Sequence, residues 1–264
     1  MNHHTIIKAT TTALIALCSE PSFQAALAQN QEDLHHSIQS RSNETTVGEG
    51  NGIAGEEDKP TAKFSFDQFE RRGQNGAAIE GDFSYGGDIN KLVLEIDFER
   101  GGGETEKNER WLVYSRAISK NWNFLSGIRH DLQRESTSRN WLAVGLIGET
   151  PYSLEMDAVL FLGKSGSTAF RLEAEYEAKL AEKVTLIPRL ELNFFGQNDE
   201  IAGSGTGLSQ AELGLRLLYE IHPKFSPYVG VHHEREVGNA ADFAREEGEK
   251  VYTTVWVIGI RAWF

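Results

Sequence analysis

Three short phrases carry the side chains best suited to hold a metal ion. In EDLHHS, Asp33 stands beside His35 and His36. In VHHERE, His232 and Glu234 lie two residues apart, so a strand puts them on one face, with Glu236 following on that face. In SLEMDA, Glu155 and Asp157 form a similar pair. Imidazole nitrogen and carboxylate oxygen together make a donor set for a transition-metal ion. The competing role for these groups is structural, as partners of Arg171, Arg189, Arg216 and Arg261 across an enclosed polar space, and it is the more common one. Other chemistries find little support. The glycine-rich pieces at 101–103 and 203–207 lack the Lys-Ser/Thr ending of a phosphate loop, and no Gly-x-Ser-x-Gly nucleophile motif is present.

The elements that must position these groups are strands. In the final phrase VYTTVWVIGIRAWF, Tyr252, Thr254, Trp256, Ile258, Ile260, Ala262 and Phe264 share one face, and Gly259 and Arg261 belong to the other. The same period of two recurs upstream. In 167–181, Phe170, Leu172, Ala174, Tyr176 and Leu180 alternate with Arg171, Glu173, Glu175, Glu177 and Lys179. In 184–197, Leu186, Pro188, Leu190, Leu192 and Phe194 alternate with Arg189, Glu191 and Asn193. Leu92, Leu94, Ile96 and Phe98 alternate with Lys91, Glu95, Asp97 and Glu99. Twelve segments read as strands: 64–72, 77–85, 90–100, 109–119, 122–132, 139–149, 152–163, 167–181, 184–197, 208–221, 226–238 and 251–264. Most reach the roughly 9–11 residues that a tilted strand needs to cross a bilayer.

Connections after even-numbered segments are short, as at Lys120-Asn121, Thr150-Pro151 and Glu182-Lys183. Several after odd-numbered segments, at 101–108, 133–138, 198–207 and 239–250, are longer and more polar. Membrane barrels of the outer membrane place short turns at the periplasmic end and long loops outside. The expected fold is therefore all-β: an antiparallel transmembrane β-barrel of about twelve strands over 64–264. Two features strain this reading. Pro188 forfeits a ladder hydrogen bond, so a bulge or an adapted neighbour is expected there. The first segment, FSFDQFERR, alternates poorly. The tryptophans and tyrosines are expected mostly in girdles at the two membrane interfaces.

Residues 1–28 have the order of a secretory signal peptide, with one Lys, a short apolar core and a small-residue site ending at Ala28. Cys18, the chain's one cysteine, falls inside it, so thiolate ligands are not expected in the mature protein. Residues 29–63 are polar and acidic, with too little apolar surface to offset the entropy of ordering, and are expected to form a disordered periplasmic arm. The net charge of −13 argues against a nucleic-acid partner. A mean hydropathy of −0.41 fits a barrel as well as a soluble chain, because alternation keeps the average low.

With the strands in place, the phrases FDQFERRGQNG, GGDINKLVLE, LVYSRAISKNWNFLSGIRHD, TAFRLEAEYEAKL, PRLELNFFGQND, SPYVGVHHEREVGNAADFAREEGE and RAWF resemble the copper resistance protein B family, in that family's order over residues 64–264. The resemblance implies an outer-membrane protein of copper homeostasis that binds copper or helps pass it across the outer membrane. It further implies membrane lipid as surroundings, the barrel assembly machinery as reader of the last strand, and a periplasmic multicopper oxidase as a partner. Many members carry an amino-terminal arm full of Met and His. Here Met1 and Met156 are the only methionines, and the arm offers Asp33, His35 and His36. Thioethers select Cu(I), whereas imidazole and carboxylate suit Cu(II) better. Two other functions are weighed against this one. A barrel lipid hydrolase would need a serine beside an outward histidine, for which His130 is the candidate base. A diffusion channel would need an empty lumen.

Overall fold

The computed structural model describes residues 59–101, 104–132 and 138–264. The expected signal peptide and nearly all of the arm, including Asp33, His35 and His36, lie outside the described residues. Thirteen strands follow one another: β1 (Thr61–Arg72), β2 (Gly76–Gly86), β3 (Asn90–Gly101), β4 (Glu104–Ala117), β5 (Trp122–Asp131), β6 (Arg139–Glu149), β7 (Leu154–Gly163), β8 (Thr168–Tyr176), β9 (Ala178–Ala181), β10 (Val184–Phe195), β11 (Gly207–Tyr219), β12 (Phe225–Glu236) and β13 (Tyr252–Trp263). Apart from β8 and β9, sequential strands pair antiparallel, and β1 pairs with β13, which closes the ring. Both β8 and β9 pair with β10, so they are two lengths of one stave and the barrel has twelve staves.

The break between β8 and β9 has a local cause. Arg189 pairs with Glu175, and Leu186 pairs with Ala178, so the interruption faces Ile187 and Pro188. Pro188 has no N–H to give on that side. On the other side β10 runs in unbroken register past Pro188↔Leu215. The proline is accommodated by the break in its neighbour, and the β9–β10 register also shifts close by, between Val184 and Thr185.

The poor alternation of the first segment also has a cause. In β1 the register slips between Phe66 and Phe69, so Asp67 and Gln68 together oppose one residue of each neighbour. This is a β-bulge. Phe64 and Phe66 face outward before it, and Phe69 and Arg71 face outward after it. The bulge changes the phase of the strand, and a strict count of every second residue loses the inward set Gln68, Glu70 and Arg72.

The outward face is apolar around the ring. Leu92, Leu94, Ile96, Leu112, Ile128, Leu142, Leu160, Leu213, Leu215, Val229 and Ile258 are all exposed, and Trp256 is 77% exposed. Soluble monomers rarely expose contiguous apolar patches beyond a few hundred Å². Covering each such side chain with acyl chains recovers roughly 1.5–3 kcal/mol. Closure satisfies the strand edges, as a bilayer requires. No helix of the described residues is long and apolar enough to cross a membrane.

The two ends differ. Turns of 2–5 residues join β2 to β3, β4 to β5, β6 to β7, β9 to β10 and β11 to β12, and the start of β1 and the end of β13 lie at this same rim. At the other rim the β10–β11 connection carries a short turn of 3-10 helix (Glu200–Ala202), and the β12–β13 connection carries helix α1 (Asn239–Glu246). The helix tucks Ala240, Ala241 and Ala244 inward. A Cβ on Gly205 would stand 2.3 Å from the Ala240 nitrogen, so only glycine lets this loop meet the helix. One predicted loop is corrected. Of 101–108, residues 104–108 are strand, because β4 continues up β3 through Glu99↔Lys107 and Gly101↔Glu104. Lys107 is held there by ion pairs inside the barrel.

Candidate functional site

The inward-facing side chains form three layers. The middle layer is a belt of ion pairs. Arg216 donates to Glu70 through Nε at 3.0 Å and Nη2 at 2.9 Å. Arg72 donates to the same carboxylate at 2.8 Å and to Glu99 at 2.5 Å. The Tyr228 hydroxyl completes the Glu70 shell at 2.9 Å. Gly259 makes room for this cluster, because a Cβ there would stand 2.7 Å from both the Glu70 Cβ and the Tyr228 ring. Arg189 bridges Glu80 and Glu173, each at 2.6 Å. Lys107 bridges Asp97 at 2.7 Å and Glu191 at 3.2 Å. Arg171 holds Glu109 at 2.8 Å and Asn193 at 2.9 Å. Charges removed from water in this way persist only because each has an opposite charge and hydrogen bonds. Between Arg72, Glu99, Glu212, Arg216 and His232 a gap of about 10 Å³ remains, close to the least space that admits one water.

Toward the short-turn rim, Arg261 joins Asp67 at 3.2 Å, Glu175 at 3.2 Å and Glu177 at 3.0 Å. The bulge makes the first of these contacts possible by aiming Asp67 inward. Ser65 donates to Asp82 nearby.

Toward the long-loop rim the lumen widens into a vestibule of about 490 Å³. Glu106, Glu109, Asp131, Glu234, Glu236 and Glu249 are among its walls. Its described lining counts eight carboxylates against five lysines and arginines, so the field inside favours cations. One wall is aromatic. Trp111 and Trp141 are each 5% exposed, and both stand edge-on to Phe161. The Arg129 guanidinium lies 4.1 Å from the Phe161 ring centre and about equally far from both indoles, at 5.5 and 5.4 Å. The indole N–H groups donate to Glu109 and Asp131. Thus these two tryptophans are lumen residues, which corrects the girdle expectation for them. A polar partner for the indole N–H inside the barrel makes that burial tolerable.

The expected site residues fall in separate places. His232 is buried in the belt, with Nε2 3.3 Å from Arg72 Nη1 and 3.8 Å from Glu212 Oε2. Glu234 sits above it on the same face and accepts from Gln210 at 2.6 Å. Glu155 and Asp157 face inward on β7, four staves from β12 and nearer the short-turn rim. The arginine network exists as expected, but its carboxylates are chiefly Glu70, Glu80, Glu109, Glu173 and Glu175. Glu70 and Arg72 were hidden by the bulge, and Lys107 by its placement in a loop. His130 points outward and meets Asn140 at 2.8 Å; His233 points outward and meets Thr254 at 2.7 Å.

Among the described residues no three of His, Cys, Asp and Glu converge closely enough to chelate a metal ion. A guanidinium beside the His232 nitrogen opposes any cation there. The described donors therefore do not form a tight copper cage.

Residues 61–264, from the first residue of β1 onward, match the family described as Copper resistance protein B precursor. The Copper resistance protein B homolog of Pseudomonas syringae pv. tomato is 43% identical over 204 residues, covering 76% of this chain and 69% of that protein. Copper resistance protein B of Escherichia coli is 40% identical over 179 residues, covering 68% of this chain and 60% of that protein, so the alignment spans less than two thirds of this relative. Among solved structures, the NanC porin superposes with a TM-score of 0.48 at 13% identity over 76% of this chain and 99% of that one. The KdgM porin does so with 0.44 at 13% identity over 76% and 98%. With its closed ring, acyl-facing exterior and a match running the length of the barrel, the chain belongs to the copper resistance protein B family, as a barrel of the outer membrane.

Proposed function

We propose that the chain serves copper resistance by drawing cupric ions into the acidic vestibule and holding them at the outer face of the membrane, without an enzymatic step. The observation that carries this reading is the vestibule's net negative lining directly above the closed ion-pair belt. Carboxylates of Glu106, Glu234, Glu236 and Glu249 offer oxygen donors at the open end, and His232 and Glu234 mark the lower limit of the ion's descent. Such donors suit Cu(II) better than Cu(I). Glu155 and Asp157 would act only on an ion that had passed the belt. Asp33, His35 and His36 would add donors from the arm. A periplasmic multicopper oxidase is the partner the family context suggests for that side.

A free diffusion channel is disfavoured, because the belt leaves too little room for a hydrated ion. A lipid hydrolase is disfavoured, because the outward His130 is engaged by Asn140 and not by a serine.

Equilibrium dialysis of detergent-purified barrel with and without residues 29–63, against Cu(II), tests the reading. The expected result is weak, saturable binding that survives removal of the arm and falls when Glu234, Glu236 and Glu249 are changed to Gln. Absence of binding to the armless barrel, together with unchanged copper tolerance of a deletion strain, would overturn it. Large stable currents in planar bilayers would favour the channel.

A further inference from the structure

Charge is sorted by face in this barrel. The outward-facing side chains that carry charge on the described strands are basic: Arg71, Arg100, Arg110, Arg116 and Arg235, with His130 and His233. All except Arg116 lie near the long-loop rim. A chain of net charge −13 thus keeps carboxylates off the lipid-facing positions of its described strands and gathers outward arginines toward the long-loop rim on β12, β1, β3 and β4.

Three strands of that rim form a bay. Arg71 of β1 is in register with Ala77 of β2, and Ala77 is in register with Arg100 of β3. Neighbouring strands lie about 4.8 Å apart, so the two arginines flank the alanine across roughly 10 Å. Between them Ala77 contributes only a methyl group. Both arginines are exposed, and Arg71 is steadied by donating to the Gln74 carbonyl at 2.8 Å.

The next outward row toward the membrane centre is Phe69↔Ile79↔Phe98. Beneath it come Phe66↔Gly81↔Ile96 and then Phe64↔Phe83↔Leu94. Each row lies about 7 Å below the last. A pair of guanidiniums set directly above an apolar stripe matches an amphiphile with an anionic head and acyl chains. Guanidinium binds phosphate oxygens in bidentate, charge-assisted fashion. We infer that the Arg71–Ala77–Arg100 bay holds a phosphate of the outer-leaflet glycolipid, with its acyl chains laid along the β1–β3 stripe. This rests on the outer-membrane placement of the barrel but not on how it handles copper.

Native mass spectrometry of the full chain, released from detergent after incubation with lipid A, tests the assignment. The wild type is expected to retain bisphosphorylated lipid A about tenfold better than its dephosphorylated form. R71Q/R100Q is expected to lose that preference, and R71K/R100K to regain part of it. A77D keeps both arginines but sets a carboxylate between them, and it is expected to lose the preference too. R116Q, at the opposite rim, is expected to behave as wild type. Heat-dependent gel mobility identifies which variants are folded. Equal retention of the two lipids by the wild type, or an unchanged preference in folded R71Q/R100Q and A77D, would overturn the assignment. Full displacement of the lipid by inorganic phosphate would overturn it as well, since the stripe would then contribute nothing.

Discussion

The two walls of the lumen solve the same problem in opposite ways. From β4 to β8 the inner wall is largely dry: Trp111, Val113, Leu125, Trp141, Ala143, Val159, Phe161 and Ala169 form one buried cluster, with Glu109, Arg129 and Arg171 set against it. From β10 through β13 to β3 the inner wall is chiefly ionic, built on Glu70, Arg72, Glu99, Glu191, Glu212 and Arg216, with a smaller apolar cluster of Ile187, Leu218, Tyr228 and Val257. Both walls fill space. The dry one does so with shape and dispersion, and the ionic one with pairs that must all be present together. Arg129 and Arg171 are the joints, since each lies near the Phe161 ring while binding Glu109.

The comparison makes the ionic wall the more brittle. R216M strands Glu70 with only part of its donor shell, and breaking a buried pair this way costs about 3–5 kcal/mol. E70Q/R216M should restore much of that loss. Unfolding in detergent, followed by gel mobility against temperature, measures both; a double variant no better than the single would mean that the two side chains are not coupled. In the dry wall F161A removes a ring from between two indoles, at about 3 kcal/mol, whereas F161L should cost less than about 1.5 kcal/mol. If F161L were as damaging as R216M, the contrast between the walls would fail. The smallest effect is optical. Brominated acyl chains should quench Trp256 strongly and leave Trp111 and Trp141 bright, as single-tryptophan variants would report.

The same contrast explains what could be read from the chain. The strands around Leu92, Leu172, Leu190 and Leu213 alternate sharply because their inner faces belong to charged layers. β6 and β7, with phrases such as WLAVGLI and DAVLFL, are apolar on both faces through much of their length, so periodicity does not say which side is in. The girdle expectation for Trp111 and Trp141 rested on places near strand ends, which say nothing about the face each side chain takes. The bulge at Asp67 and Gln68 concealed Glu70 and Arg72, because a single extra residue reverses every later assignment in β1. Helix α1 was legible in retrospect. The phrase NAADFARE sits between Gly238 and Gly248, and its alanines were a helical signal inside a segment treated as loop. The ligand-like spacing of His232 and Glu234 was correct as geometry. What spacing could not supply was Arg72, from the far end of the sequence, beside the imidazole.

The pairing of β1 with β13 joins the two most distant strands in the barrel's sequence, and Phe64 and Phe264 exchange main-chain bonds at 2.8 and 3.2 Å across that seam. Until it zips, two sheet margins stand exposed, and each could recruit a stranger's strand. A kinked β1 is a poor template for such strangers, because only a strand that tolerates its two-against-one register can dock along its whole length. The irregularity that obscured the first segment thus guards the margin that β13 comes to occupy.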